Sequence, residues 1–412
     1  MEYANNEITH RNYIPLILIG IAYFLSLMTN FGFNLLFTTA GSRVFLFHIV
    51  SLVLLIVTLC GKKIALPPNS ISIYFMFITV VSIFAGMFFG FTGHFFNNIF
   101  NFVLIAIIYT SGKNYSAASW ERLFSVIGML YIALLNINII MNFRYIINDL
   151  LYIQNRLPSL FTFSAGGINL DATWVAIFSV FFIKKKFGIL YWINATLIST
   201  LFSSRLGLIL CAIAFLFIMQ AILKSKREKI IAFSSVAFIT TILVLILVYT
   251  GLSDFVFTRF LAIGNEPGSI GRLRLLNYFS SVFSANIFGY GAGNAVSAIA
   301  DYSALVFREQ AIHNIYLQAF LDFGLVGGVF HLALVIGFVY REFRNKFSNT
   351  FGKALILFFV AGLFQFSGVE PQLAILLGIY LCTARQEMLS LKNETELIMA
   401  HERRVHLQSR ST

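Results

Sequence analysis

Two kinds of side chain in this sequence carry chemistry worth weighing. One is His313, which opens "HNIYLQAFLDFGLVGG" (313–328) at the mouth of an apolar run. An imidazole has an ordinary pKa of about 6.5, near the working pH of a general base. A histidine at a helix start is also a common structural hydrogen-bonder, and residue type alone leaves both roles open. The other kind is arginine: Arg205 in "LFSSRLGL" and Arg272 and Arg274 in "GSIGRLRLLNYF". A guanidinium stays charged and presents a rigid fork that grips phosphate oxygens bidentately. A site for a lipid diphosphate needs several of these, although an interfacial arginine can equally snorkel to headgroups.

The glycine-rich "FGYGAGN" (288–294) has two readings as well. Backbone N–H groups at Gly289, Gly291 and Gly293 can cradle a phosphate, or the segment is a flexible turn. It follows no strand and opens no βαβ unit, which excludes a dinucleotide fingerprint. Walker A and HExxH motifs are absent, as is any Cys/His cluster with metal spacing. No outward Asp-x-Asp pair stands ready to hold a divalent cation on a diphosphate. No metal and no cofactor are expected.

The elements that must position these residues follow from composition. Of 412 residues, 58% are hydrophobic, 16% aromatic and 11% charged. Soluble domains carry about 25% charge, and an apolar run of about 20 residues spans a bilayer. The expectation is an all-α polytopic membrane protein, a single integral membrane domain over 1–412. Twelve spans are expected at about 13–29, 43–60, 71–90, 94–110, 120–141, 169–183, 188–203, 206–223, 230–250, 323–340, 353–369 and 371–384. Cys60, Cys211 and Cys382 fall in or at the ends of these runs as small hydrophobes, without a disulfide framework. The first run reads as an uncleaved span.

The net charge of +12 is spread in small clusters between spans, which argues against nucleic acid. With cytoplasmic termini, all twelve lysines fall on the inner side, as the positive-inside bias requires. Arg205, Arg272, Arg274, Arg308 and His313 then face outward. Two outward loops stand out, 142–168 and the larger 251–311 between the ninth and tenth spans. An amphipathic helix around Arg272 and Arg274, with Leu273, Leu276 and Phe279 at helical spacing, would rest on the membrane surface. The Gly324/Gly328 pair has the small-xxx-small spacing of close helix packing, which would fix His313.

"SSR" opening a span, "GRLRLL" in a long outward loop, "FGYGAG" and then "HNIYLQAFLDFGLVGG" resemble the O-antigen ligase/polymerase superfamily. The resemblance covers about 200–340 in motif detail. It implies a membrane-embedded, GT-C-like, metal-independent inverting glycosyltransferase at the periplasmic face of the bacterial inner membrane. Its donor would be an oligosaccharide on undecaprenyl diphosphate, and the bilayer, a Wzz-type chain-length regulator and a flippase would be partners. By motif, Arg205 and Arg272 would neutralise the leaving diphosphate and His313 would activate the acceptor hydroxyl. Arg274, Asn314 and Arg308 would assist in substrate binding.

A Wzy-type repeat-unit polymerase for O-antigen or capsule is the preferred member, with an O-antigen ligase as alternative. From Arg272 to Gly289 there are sixteen intervening residues, against fifteen in the Arg-x15-Gly pattern of polymerases, so the ligase stays open. A lipid-linked oligosaccharide flippase can share the span count. Transporters, however, carry ionisable residues near the midplane and repeated halves, and these spans are nearly charge-free and unrepeated.

Overall fold

The computed structural model describes residues 13–28, 36–37, 43–44, 46–61, 63–143, 162–163, 167–202, 204–222, 267–303 and 312–387. The first helices are α1 (Ile14–Leu27), α2 (Leu46–Gly61), α3 (Asn69–Phe89), α4 (Gly93–Gly112) and α5 (Ala117–Met141). Next come α6 (Ile168–Phe178, extended by a 3-10 turn over Ser179–Phe182), α7 (Gly188–Leu201) and α8 (Arg205–Ile222). The last are α9 (Pro267–Ala285), α10 (Ala295–Ser303), α11 (Ile315–Arg344), α12 (Thr350–Ala361) and α13 (371–387). The all-α expectation needs one small correction. Leu36–Phe37 (β1) pairs antiparallel with Arg43–Val44 (β2), the strand pairing among the described residues.

Each expected span except 230–250 coincides with a described helix, and 230–250 lies outside the described residues. Among the described residues, four helices are long and apolar enough to cross a membrane: α3, α4, α5 and α11. Two boundaries differ from expectation. Span 353–369 closes at Ala361, after which the chain turns through 362–370 before α13. Span 323–340 starts earlier, at Ile315, because Asn314 supplies a cap that hydropathy does not register.

Polar residues in these helices fold back on their own backbone. Ser51, Thr58, Thr110 and Ser111 each donate to the carbonyl four residues earlier, at 2.7–2.8 Å. An apolar surrounding offers no other partner, so this is how hydroxyls are carried through it. Conversely, Met76, Phe88, Val326 and Ile336 point outward and are exposed. Such large apolar surfaces suit lipid rather than water.

The core is aromatic and centres on α6, whose residues from Asp171 to Phe178 are all buried. Tyr23 packs on Phe124 with ring centroids 4.7 Å apart, and Phe358 stacks on Phe366 at 4.2 Å. The buried Asp171 carboxylate takes a hydrogen bond from Tyr131 Oη at 2.7 Å and another from Phe163 N at 2.9 Å.

The bundle has two distinct ends. At one, Lys184 meets Glu121 at 3.7 Å, and Gln220 Nε2 donates to Lys346 O at 3.0 Å. Asn349 caps α12 there and reaches Thr383 on α13 at 3.0 Å. At the opposite end, Ile315 N donates to Gly362 O at 2.8 Å, joining the start of α11 to the close of α12.

Within α11, Gly324 has φ 71°, ψ −172°, and breaks the helix. The break is filled by the chain between α9 and α10. Tyr290 N donates to Leu321 O at 3.0 Å, Gly291 N to Asp322 O at 2.8 Å, and Leu325 N to Ile287 O at 2.9 Å. These are the groups that an unbroken helix would pair internally, so the break leaves none of them orphaned. A Cβ at Gly324 would collide with the Phe288 backbone.

This corrects the helix-packing role expected of Gly324 and Gly328. Gly324 admits a loop instead of a second helix, and Gly328 makes room for Phe320 of its own helix.

Gly324→Ala is expected to lower stability by roughly 1–3 kcal/mol through the left-handed backbone alone, and further through the collision. Gly337→Ala is the control, since its Cβ would meet open space; it should stay within about 1 kcal/mol of wild type. Thermal midpoints of the purified proteins in detergent compare the two.

Candidate functional site

His313 sits half-buried in the turn before α11 with φ 54°. That left-handed backbone is unfavourable for a side chain bearing a Cβ by about 1–3 kcal/mol and persists where its surroundings hold it. The hold is visible on both flanks. Before it, Ile312 N donates to Gln318 Oε1 at 3.3 Å. After it, Asn314 Oδ1 accepts from Tyr316 N and Leu317 N at 3.1 and 3.0 Å, capping α11. Asn314 Nδ2 donates to Leu363 O at 3.1 Å. Asn314 therefore commits its oxygen and one N–H to positioning.

Arg205 occupies the first turn of α8. Ser204, fully buried, caps that helix: its Oγ accepts from Gly207 N at 3.2 Å and its carbonyl accepts from Leu208 N at 3.0 Å. The "SSR" triplet is thus a cap followed by a cation. Gly207 lets the start of α8 press onto α6 and α7, since a Cβ there would lie 2.8 Å from Ser199 Oγ and 2.9 Å from Ala172 Cβ. A cation at a helix N-terminus opposes the helix dipole by about 0.3–1 kcal/mol. The helix dipole does not itself favour an arginine here, and an anion would be drawn by the guanidinium and the N-terminus together.

α8 runs antiparallel to α12. Its far end, at Gln220, bonds Lys346 just ahead of α12, and the two helices pack together. The start of α8 accordingly lies toward the close of α12, where Gly362 and Leu363 hold Ile315 and Asn314. Arg205 and His313 share one end of the bundle.

Arg272 and Arg274 fall on α9, as the apolar spacing predicts. Arg274 is exposed; the Arg272 side chain and Arg308 lie outside the described residues. Most of 142–168 and parts of 251–311 lie outside as well. The glycine segment that follows α9 is a turn whose N–H groups are engaged within the protein rather than open to a phosphate. Gly289, Gly291 and Gly293 all have positive φ, and each N–H is already taken: by Asn286 O at 3.3 Å, by Asp322 O at 2.8 Å and by the Asp322 carboxylate. Its function is to seat the arginine helix on α11.

Local sequence reasoning missed three features. Asp322, buried, accepts Gln318 Nε2 at 3.0 Å and the backbone N–H groups of Gly293 and Ala295, the latter opening α10. Glu370 closes the 362–370 turn, accepting from Ser367 N at 2.6 Å and Gly368 N at 2.8 Å. Burial pushes its carboxyl above the usual range, and these hydrogen bonds oppose the shift. A cavity of about 370 Å³ runs along α11 against α3, α4 and α13, with Tyr74, Asn98, Asn101, Gln318, Asp322 and His331 among its polar lining. Only the spacing of Gln318 and Asp322, one helical turn apart, was a readable signal.

Residues 188–332 match the family described as O-antigen ligase. The similarity covers about a third of the chain and supports placement in the O-antigen ligase/polymerase superfamily. The match starts with α7, ends inside α11, and contains Arg205, Arg272, Arg274, Arg308, His313 and Asn314. No curated protein matches the chain. In superfamily terms, the matched segment holds both the histidine turn and the arginine-bearing helix starts.

Asn314→Ala should lower stability by about 1 kcal/mol through loss of the cap. Asn314→Asp keeps the capping oxygen without the donor to Leu363 and should recover most of the loss. Thermal melts in detergent would establish the order.

Proposed function

We propose that this protein is a polysaccharide polymerase that moves a growing glycan from undecaprenyl diphosphate onto a lipid-linked repeat unit. The observation that carries the reading is the strained His313, fixed from both flanks at the bundle end where Arg205 starts α8. The superfamily match supports glycan transfer of the ligase/polymerase kind. The choice of polymerase over ligase rests on the likeness of the sequence to Wzy-type polymerases.

The chemistry follows from residue types. His313 takes the proton from the acceptor hydroxyl as its oxygen attacks the anomeric carbon. The new C–O bond forms on the face opposite the breaking bond to the diphosphate, which inverts the configuration. Arg205 and Arg272 take up the charge left on the diphosphate, with Arg274 and Arg308 beside it. Preorganised positive charge at a departing anion is commonly the largest catalytic contribution. The activated donor supplies the driving force, so no nucleotide or metal is required.

On this reading the site end is periplasmic and the lysine-rich end cytoplasmic, in the inner membrane. A flippase must first deliver the donor to that face, and a chain-length regulator would act on the product.

One observation favours a second reading. The cavity along α11, mostly apolar with a few polar groups, among them Gln318, Asp322 and His331, is the kind of pocket in which a carrier of lipid-linked glycans would bind its cargo. That reading leaves the His313 strain and the family match unused.

His313→Ala should reduce transfer at least about 100-fold, the lower range for a lost general base. Arg205→Ala and Arg272→Ala should be comparably impaired at equal membrane levels. Arg205→Lys should regain little, because a point charge lacks the fork. Glycan length and yield on gels, from membranes with matched expression, provide the comparison. Wild-type polymer from His313→Ala would sink the base assignment, and full activity of the lysine variant would sink bidentate diphosphate binding.

A further inference from the structure

We infer that Gln318 and Asp322 form a positioning relay that fixes the histidine turn and the arginine helix relative to one another. This rests on the glycan-transfer reading for its catalytic consequence, while the relay itself is written in the hydrogen bonds. Ile312, next to His313, donates its N–H to Gln318 Oε1 at 3.3 Å. Gln318 turns its other amide atom to Asp322, Nε2 donating to Oδ1 at 3.0 Å. Asp322 then takes the backbone N–H groups of Gly293 and Ala295. One continuous line of donors and acceptors therefore joins the residue before His313 to the end of the segment that leaves α9.

The line has little room to slip. Gln318 and Asp322 are 1% and 2% exposed, so each lost partner would leave a buried polar group unpaired. Gln318 is used at both ends of its amide, which fixes its orientation: the oxygen must face Ile312 and the nitrogen Asp322. The carboxylate sits at the N-terminus of α10, where helix N–H groups and the dipole favour negative charge. The carbonyl of the same residue accepts Gly291 N at 2.8 Å, so Asp322 grips the glycine segment with main chain and side chain together.

A site that stabilises a leaving diphosphate while deprotonating a hydroxyl needs its arginines and its base at a fixed separation. A misplacement of about 1 Å can cost on the order of 100-fold in rate. The base stands on the turn before α11, and Arg272 stands on α9, a separate helix. The relay spans that division. Gln318 and Asp322 touch neither substrate nor reacting atoms in this scheme and act through His313 and α9.

Two near-isosteric variants test it. Gln318→Met keeps the volume but cuts the bonds to Ile312 and Asp322, leaving the carboxylate on Gly293 and Ala295. Asp322→Asn replaces one acceptor by a donor facing other donors. Amide hydrogen exchange is followed in the full-length protein in nanodiscs, alongside steady-state transfer of the lipid-linked glycan. In Gln318→Met, exchange should rise at 312–314 while 287–295 stays protected. In Asp322→Asn it should rise in both segments.

Both variants should lose at least tenfold in kcat, with KM for the donor changed less than threefold in Gln318→Met. A merely structural role would lower thermal stability without separating the two exchange patterns or splitting kcat from KM. If Asp322→Asn fails to fold, Gln318→Met decides alone. Wild-type kcat in Gln318→Met, or exchange unchanged at 312–314, overturns the relay. If the wild-type protein transfers no glycan, the functional reading fails, and the exchange patterns still decide whether the two segments are coupled.

Discussion

The break in α11 at Gly324 is the constraint on which the rest of the bundle end that carries His313 depends. An interrupted helix in an apolar surrounding cannot leave carbonyl and N–H groups bare, because nothing there can pair with them. The chain between α9 and α10 supplies the partners, through Ile287, Tyr290 and Gly291. Glycine is required at 324 for its backbone and for the close approach of Phe288. Without the break, the segment after α9 would have no seat, and the helix bearing Arg272 and Arg274 would not be tied to the helix that follows His313.

The same logic accounts for the polar residues around it. Asn314 closes the open end of α11 and reaches the turn after α12. Ser204 closes the open end of α8. Asp322 closes the open end of α10. Each is a helix terminus met by a short polar side chain, the ordinary remedy for unpaired N–H groups. Their combined effect is unusual in one respect: three helix starts and a strained histidine turn are fixed by side chains that have no freedom to do anything else. Arg205 and His313 stand beside those caps, one residue away in each case, and so inherit their rigidity.

Much of the architecture was legible in the sequence. Hydropathy located most of the described helices, and the apolar spacing at Leu273, Leu276 and Phe279 marked α9 correctly. Hydropathy reads composition, so it ran span 353–369 past Ala361 into a turn whose Phe364 and Phe366 are as apolar as a helix. Spacing rules also misread Gly324 and Gly328. A pair of small residues four apart signals close approach, but it does not tell whether a helix or a loop approaches. The glycine segment failed for a related reason. Its Tyr290 and Gly291 donors are taken by Leu321 and Asp322, far along the chain, and pairing at that distance leaves no local pattern. The partners of Asp322, Gly293 and Ala295, are backbone groups that no residue type reveals.

The central claim is that this bundle joins lipid-linked repeat units to one another. Purified protein in liposomes, supplied with undecaprenyl-diphosphate repeat units alone and then with lipid A-core added, tests it directly, with products sized on a gel. A ladder from the donor alone is the expected result. A single shift of the core, with no ladder before its addition, would contradict the polymerase and make the protein a ligase; no product under either condition would contradict glycan transfer itself.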